Sequence, residues 1–260
     1  MAKADDRARM EVIALDLLAQ SDEPTGARRL AEVYRREKID LAEATAGRFL
    51  RALDEMGLTQ TVGARGGRVL TKAGRRRLRQ LHAERQIHAQ SALVAQAADV
   101  KGLDELIDLL HVRRAAEAEA ARLAAIRATD QEIERLAEVA AKHTDCFETC
   151  DRIEQSHNFH LLLGRASHNR MLLAIIELLL DPRNDKLAVL LDRIAVGDGV
   201  IAGMVSAHPK IALALRRREA DKAERLMREH IEMMISTANR HRKRQLSDKP
   251  RSSGPTSGPA

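Results

Sequence analysis

This chain has very few aromatic residues from which to build a sheet. One tyrosine, three phenylalanines and no tryptophan are spread over 260 residues, although 44% of positions are hydrophobic. Strands favour aromatic and β-branched side chains that pack across pleated faces. A core of Leu, Ala, Ile, Val and Met therefore points to packed helices. The longest apolar run, "MLLAIIELLL" at 171–180, is too short to span a bilayer and carries Glu177. The opening "MAKADDRARM" contains acids and lacks the apolar stretch of a signal peptide. A cytoplasmic protein with no membrane segment is expected. Cys146 and Cys150 stand four apart in "DCFETC", which is neither a CxxC redox motif nor a disulfide framework; reduced thiols are expected.

Charge divides the chain. Residues 1–90 carry 18 Lys/Arg against 13 Asp/Glu, and residues 91–239 carry 20 against 24. Residues 240–260 are basic again. A basic module joined to an acidic one suggests that only the first meets a polyanion.

Three helical patterns occupy the first 60 residues. "RMEVIALDLLAQ" (9–20) spaces Val12, Ile13, Leu17 and Leu18 helically and stops at "SDEPTG". "ARRLAEVYRREK" (27–38) sets Leu30, Val33 and Tyr34 on one face. The third pattern is expected to be capped by Asp40, with Glu43 at capping-box spacing. It buries Phe49, Leu50, Leu53 and Met56 and ends at Gly57. Two β-prone segments, "LTQTV" and "RVLT", then flank the turn "GARGG". Three helices followed by a two-stranded wing read as a winged helix-turn-helix, whose third helix enters the major groove of DNA. Thr45, Arg48 and Arg51 on that helix, with Arg65 and Arg68 in the wing, are the candidate DNA contacts. The span 26–74 resembles winged helices of the ribonuclease R regulatory type, more than a GntR-type reader with its usual Val-Ser-Arg run.

Beyond a connecting helix near 75–98, helical patterns follow at 103–125, from 129–132 to about 143, and at 148–166, 169–181, 183–196, 206–219 and 221–242. "TDQE" at 129–132 forms a capping box, and Asn169 can cap the pattern it opens. No alternating strand pattern appears. His160 shares a helix face with Ile153 and Leu163, His208 with Ile211, Ala212 and Leu215, and His230 with Met227 and Met233 or Met234. Three inward histidines on three helices must each find a hydrogen-bond partner or a metal. No inward carboxylate is evident near them.

The pieces "VRRAAEAEAARLAA" (112–125), "FHLLLGRASHN" (159–169), "AHPKIALAL" (207–215) and "ADKAERLMREHI" (220–231) resemble the FCD effector domain of GntR-superfamily transcription regulators. The resemblance implies a helical bundle whose core holds a divalent metal beside a small carboxylate effector; neutral imidazole ligands point to Zn²⁺ or Ni²⁺. The resemblance places the family's histidine ligands on His160, His208 and His230, its arginine on Arg113 with Glu117 one turn on, and its asparagine on Asn169. The family's aspartate, four residues before the first histidine, is Ser156 here. Serine is a poor ligand beside a carboxylate. His157 is a candidate substitute, and an effector carboxylate or water is the alternative.

The expected fold is mainly α: a winged helix-turn-helix at 1–80, a connecting helix at 81–102, a helical-bundle effector and dimerisation domain at 103–240, and a disordered basic tail at 241–260. The expected function is a homodimeric, ligand-responsive regulator that binds double-stranded operator DNA, a repressor released by a small organic acid, and not an enzyme. Two alternatives remain at this level. Three histidines with an open position also build catalytic zinc sites. A ribonuclease R-like winged helix could serve RNA, although exposed aromatics for base stacking are lacking.

Overall fold

The computed structural model describes residues 2–63, 66–145, 152–181 and 185–247, and it divides into two compact units, Met1–Leu93 and Val94–Ala260. Among the described residues there are eleven helices and one two-stranded sheet. None of these helices is long and apolar enough to cross a membrane.

The first unit is a winged helix. Helices α1 (Ala2–Gln20), α2 (Ala27–Arg36) and α3 (Glu43–Glu55) precede strands β1 (Thr59–Val62) and β2 (Gly67–Leu70), and α4 (Lys72–Ala98) leads out of the unit. The strands pair antiparallel, with Thr59 opposite Leu70 and Val62 opposite Gly67. Leu15, Leu30, Tyr34, Leu50 and Leu53 form a fully buried centre. The Tyr34 hydroxyl donates to the carbonyl of Met10 at 2.9 Å, so the one tyrosine ties α2 to α1.

The start of α3 departs from the expected capping box. The N-cap is Ala42, in extended conformation and without a side-chain hydrogen bond, so Asp40 does not cap the helix. Ile39 and Leu41 pack against the core from the preceding segment, which delays the helix by two residues. Packing outweighs the capping signal here. Helix α3 ends at Gly57 as expected, though Met56, expected to be buried, is 51% exposed; Gly57 takes φ +69°, its N–H donates to Asp54 and the N–H of Leu58 donates to Leu53. This is a Schellman motif, which satisfies the last carbonyls.

The second unit is all-α among its described residues. It contains α5 (Leu103–Arg127), α6 (Asp130–Asp145), α7 (Arg152–Ala166), α8 (Arg170–Leu179), α9 (Asp185–Gly197), α10 (Ile201–Arg216) and α11 (Ala220–Ser247). Helix α5 lies at the centre and packs along α11, with α7, α8 and α10 also against it. Its buried Ala116, Ala120, Ala121 and Ala124 let those neighbours come close. The capping box of α6 forms: Glu132 accepts from Thr129 N, and Glu132 N donates to Thr129 Oγ1. Asn169 caps α8 by accepting from Met171 N and Leu172 N.

Two boundaries differ from expectation. Helix α10 begins at Ile201 and carries Pro209 in its interior. Helix α11 runs to Ser247, so residues 241–247, read from sequence as the start of a disordered tail, are helical. Arg242 pairs with Asp104, and Arg240 and Arg244 pair with Asp198, which anchors these turns to the bundle. Residues 248–260 and the two cysteines lie outside the described residues.

Gly57→Ala places a Cβ in the left-handed region and should cost about 1–2 kcal/mol. Urea unfolding that reports the first unit should show the loss, and an unchanged midpoint would contradict the Schellman assignment.

Candidate metal centre

His160 on α7, His208 on α10 and His230 on α11 are 0%, 0% and 4% exposed. One ring nitrogen from each lies within 4.8 Å of the others. The apolar faces read from the sequence bring them together, with Leu163, Ile211, Leu215 and Met227 fully buried; Phe159 and Ile231, not read from the sequence, are fully buried beside them.

His208 Nε2 and His230 Nε2 are 3.2 Å apart. Two nitrogens bound to one tetrahedral Zn²⁺ at about 2.0–2.1 Å would be about 3.3–3.4 Å apart, so the spacing suits a shared ion as well as a hydrogen bond. His160 Nε2 and His230 Nδ1 are buried without a hydrogen-bond partner. Leaving such a group unsatisfied costs about 1–3 kcal/mol. Burial, reinforced by the neighbouring histidines, holds His208 and His230 well below the ordinary histidine range. Neutral imidazole is the ligating form. These three side chains could hold a borderline divalent metal.

The expectation that no carboxylate faces the histidines is wrong. Glu117, fully buried on α5, has Oε2 2.5 Å from His160 Nδ1 and accepts at Oε1 from Arg113 Nε at 2.6 Å. Apart from this contact, neither Glu117 Oε2 nor His160 Nδ1, both buried, has a partner among the described residues. Burial alone would push the Glu117 carboxyl up. The Arg113 guanidinium and His160 outweigh it and hold the carboxyl well below the usual range. A carboxylate at Nδ1 orients the imidazole and directs Nε2 toward the centre. Arg113 and Glu117, one helical turn apart, thus form a buried ion pair. One turn of helix connects Arg113 to Glu117 in sequence, but no periodicity connects either to His160, which is why this role was missed.

A cavity of about 90 Å³ adjoins the cluster. Arg113, Ser156, His157 and His230 line it, between apolar walls that include Leu110 and Met204. His143, Asp181 and Asp192 also line it, and sequence reasoning singled out none of them. Ser156 thus stands one turn before His160 and faces the cavity with a hydroxyl. Asn169 is not part of the lining; its side-chain oxygen is engaged by the first turn of α8.

In the winged unit, Arg48 and Arg51 are exposed on α3, and Arg48 donates to Thr45 Oγ1 at 2.9 Å. Arg68 is not presented in the same way. Its Nε donates to Asp54 Oδ2 at 2.9 Å and Nη1 to the Gly66 carbonyl at 3.0 Å, and its side chain is 15% exposed. Arg65 lies outside the described residues.

Residues 108–233 match the FCD domain family, and residues 12–78 match the ribonuclease R winged-helix domain family. No curated protein matches the chain. Among solved structures it is similar to Streptococcus agalactiae GntR at 18% identity and TM-score 0.43, covering 88% of this chain and 99% of that one. It is similar to E. coli McbR/YncC at 15% identity and TM-score 0.46, covering 92% and 95%. It is also similar to a GntR-family transcriptional regulator from Pseudomonas syringae pv. tomato at 16% identity and TM-score 0.45, covering 95% and 98%.

Removing one partner of a buried ion pair typically costs about 3–5 kcal/mol, because the other charge is left uncompensated. Glu117→Ala should therefore lower stability by about that amount in denaturant unfolding of the second unit, with Arg113→Met/Glu117→Met recovering much of the loss. Equal losses in the single and double variants would remove the pair from the account.

Proposed function

We propose, on the premise that the chain joins a ribonuclease R-type winged-helix domain to an FCD domain, that it is a ligand-responsive DNA-binding transcription regulator of the GntR superfamily. The observation that carries the reading is the convergence of His160, His208 and His230 beside a small mixed-polarity cavity, in a chain that also carries a winged helix with exposed arginines. In this reading the three histidines hold Zn²⁺ or Ni²⁺. Bound metal would supply a positive centre able to take an anionic effector group, and a small carboxylate is the ligand class that fits it. Ser156 adds no negative charge at the cavity, so the centre keeps more positive character than one with an aspartate there. Arg113 lines the same cavity and orients Glu117, and Ser156 and His157 offer polar contacts to the effector. Asn169 acts by fixing the start of α8.

The protein acts as a homodimer, because one winged helix reads one half-site and a two-fold pair reads an inverted repeat. Effector binding favours one dimer arrangement through its differential affinity for the two, and in a repressor this releases the operator. Arg48 and Arg51 read the duplex, with Thr45 supporting Arg48. Arg65 adds wing contact. Arg68 contributes by holding the wing to α3.

Glu117 bears on the enzyme alternative, since it supplies a carboxylate beside the histidines. Its engagement by Arg113 and its lowered pKa make it a poor proton acceptor, suited to orienting a ring. The regulator reading is preferred on that ground.

Two experiments test the proposal. In operator-binding titrations, Arg48→Ala and Arg51→Ala should each cost about 1–3 kcal/mol, and affinity should fall steeply with salt. A double variant that binds its operator normally would remove α3 from the reading role. In metal analysis after supplementation, wild type should hold one divalent ion per chain, His208→Ala should lose it, and Ser156→Asp should bind it more tightly. Wild type that takes up no ion would make the histidines polar core residues only.

A further inference from the structure

His143 lies in the last turn of α6, 3% exposed, and the function proposed above does not use it. Its Nδ1 is 2.8 Å from Nδ1 of His208. The opposite nitrogen of the same His208 ring, Nε2, is the one that faces His230 Nε2 at 3.2 Å. Phe159 lies flat against the His208 ring, with centroids 4.3 Å apart and 13° between planes. The ring is therefore held in two ways: Phe159 fixes its plane, and His143 touches its edge on the side away from the cluster.

Two Nδ1 atoms at 2.8 Å need one proton between them, so one ring must donate and the other accept. If His208 accepts there, its own proton sits on Nε2, and that nitrogen has no lone pair for an ion. If His208 donates, Nε2 keeps its lone pair and can ligate. The same contact thus has two proton arrangements, and only one is competent for metal.

We propose that His143 is a positioning residue of the metal centre, accepting the Nδ1–H of His208 and so fixing the tautomer and rotation that present His208 Nε2 to the ion. The inference rests on the metal reading of the histidine cluster. It assigns to an imidazole the place that a carboxylate or backbone carbonyl commonly takes behind a ligating histidine. The Glu117 carboxylate takes that place behind His160, so two of the three ligands are backed by side chains, each from a helix that carries no ligand.

The test uses the full chain loaded with Co²⁺, whose visible absorption reports ligand geometry, with affinity measured by competition against a chromophoric chelator at fixed pH. His143→Leu removes the acceptor and should weaken Co²⁺ binding about 10–100-fold and shift the absorption bands. His143→Asn places an amide oxygen near the position of Nδ1 and should stay close to wild type in both readouts. Thermal melts of the metal-free proteins identify a variant that fails to fold, and His143→Phe, closer in volume, then replaces His143→Leu. Wild-type affinity and spectrum in both His143→Leu and His143→Phe would overturn the inference alone. A His143→Asn variant as weak as His143→Leu would also overturn it, because His143 would then act as a ligand or as packing. Wild type that takes up no Co²⁺ would overturn the metal reading, and this inference with it.

Discussion

The bundle depends on keeping imidazoles buried. Each ring at its centre must find partners for two nitrogens where water is excluded, and helix packing alone provides none. Arg113 and Glu117, a turn apart on α5, bring a charge pair to His160, and the pair is tolerable only because each member has the other within 2.6 Å. Phe159 and His143 enclose His208. The rings on α7, α10 and α11 and their partners on α5 and α6 thus form one polar island within a mostly aliphatic core. An alanine-rich α5 makes the island possible, since small side chains let α7 pack closely enough for Glu117 to reach His160.

Much of this was legible in the sequence, for identifiable reasons. Aromatic poverty and helical periodicity lead to the all-α second unit, and the switch to β-prone residues around "GARGG" leads to the wing. The histidine trio was visible because each ring shares a face with Leu, Ile or Met neighbours, and face membership survives folding. Glu117 was not legible as a neighbour of His160, because i,i+4 spacing accounts for its pairing with Arg113 and says nothing about a helix 35 residues further on. His143 was hidden similarly: the capping box marked where α6 begins, but nothing in the sequence tied its last turn to His208. Asp40 shows the opposite failure, a sound local signal overridden by burial of Ile39 and Leu41.

The charged end of α11 shows how composition misleads when partners are distant in sequence. Arg240, Arg242 and Arg244 look like a solvated basic tail, yet their partners Asp104 and Asp198 belong to α5 and to the turn after α9. Cations so engaged are less available to a polyanion than their number suggests. In the proposed regulator, the basic surface offered to nucleic acid is therefore that of the first unit.

The clip between Asp54 and Arg68 has a further consequence. Asp54, in the last turn of α3, accepts from Arg68 on β2 and from the Thr59 hydroxyl on β1, and so joins helix to wing through side chains already ordered in the folded protein. A duplex approaching α3 would meet β1 and β2 at a fixed angle. The conformational entropy of setting that angle is lost during folding, so it does not count against association. If the first unit reads an operator as proposed, small errors in operator geometry would have to be met by deforming the DNA rather than by swinging the wing. The stiffness of a sequence, and not only its base edges, would become part of what is read.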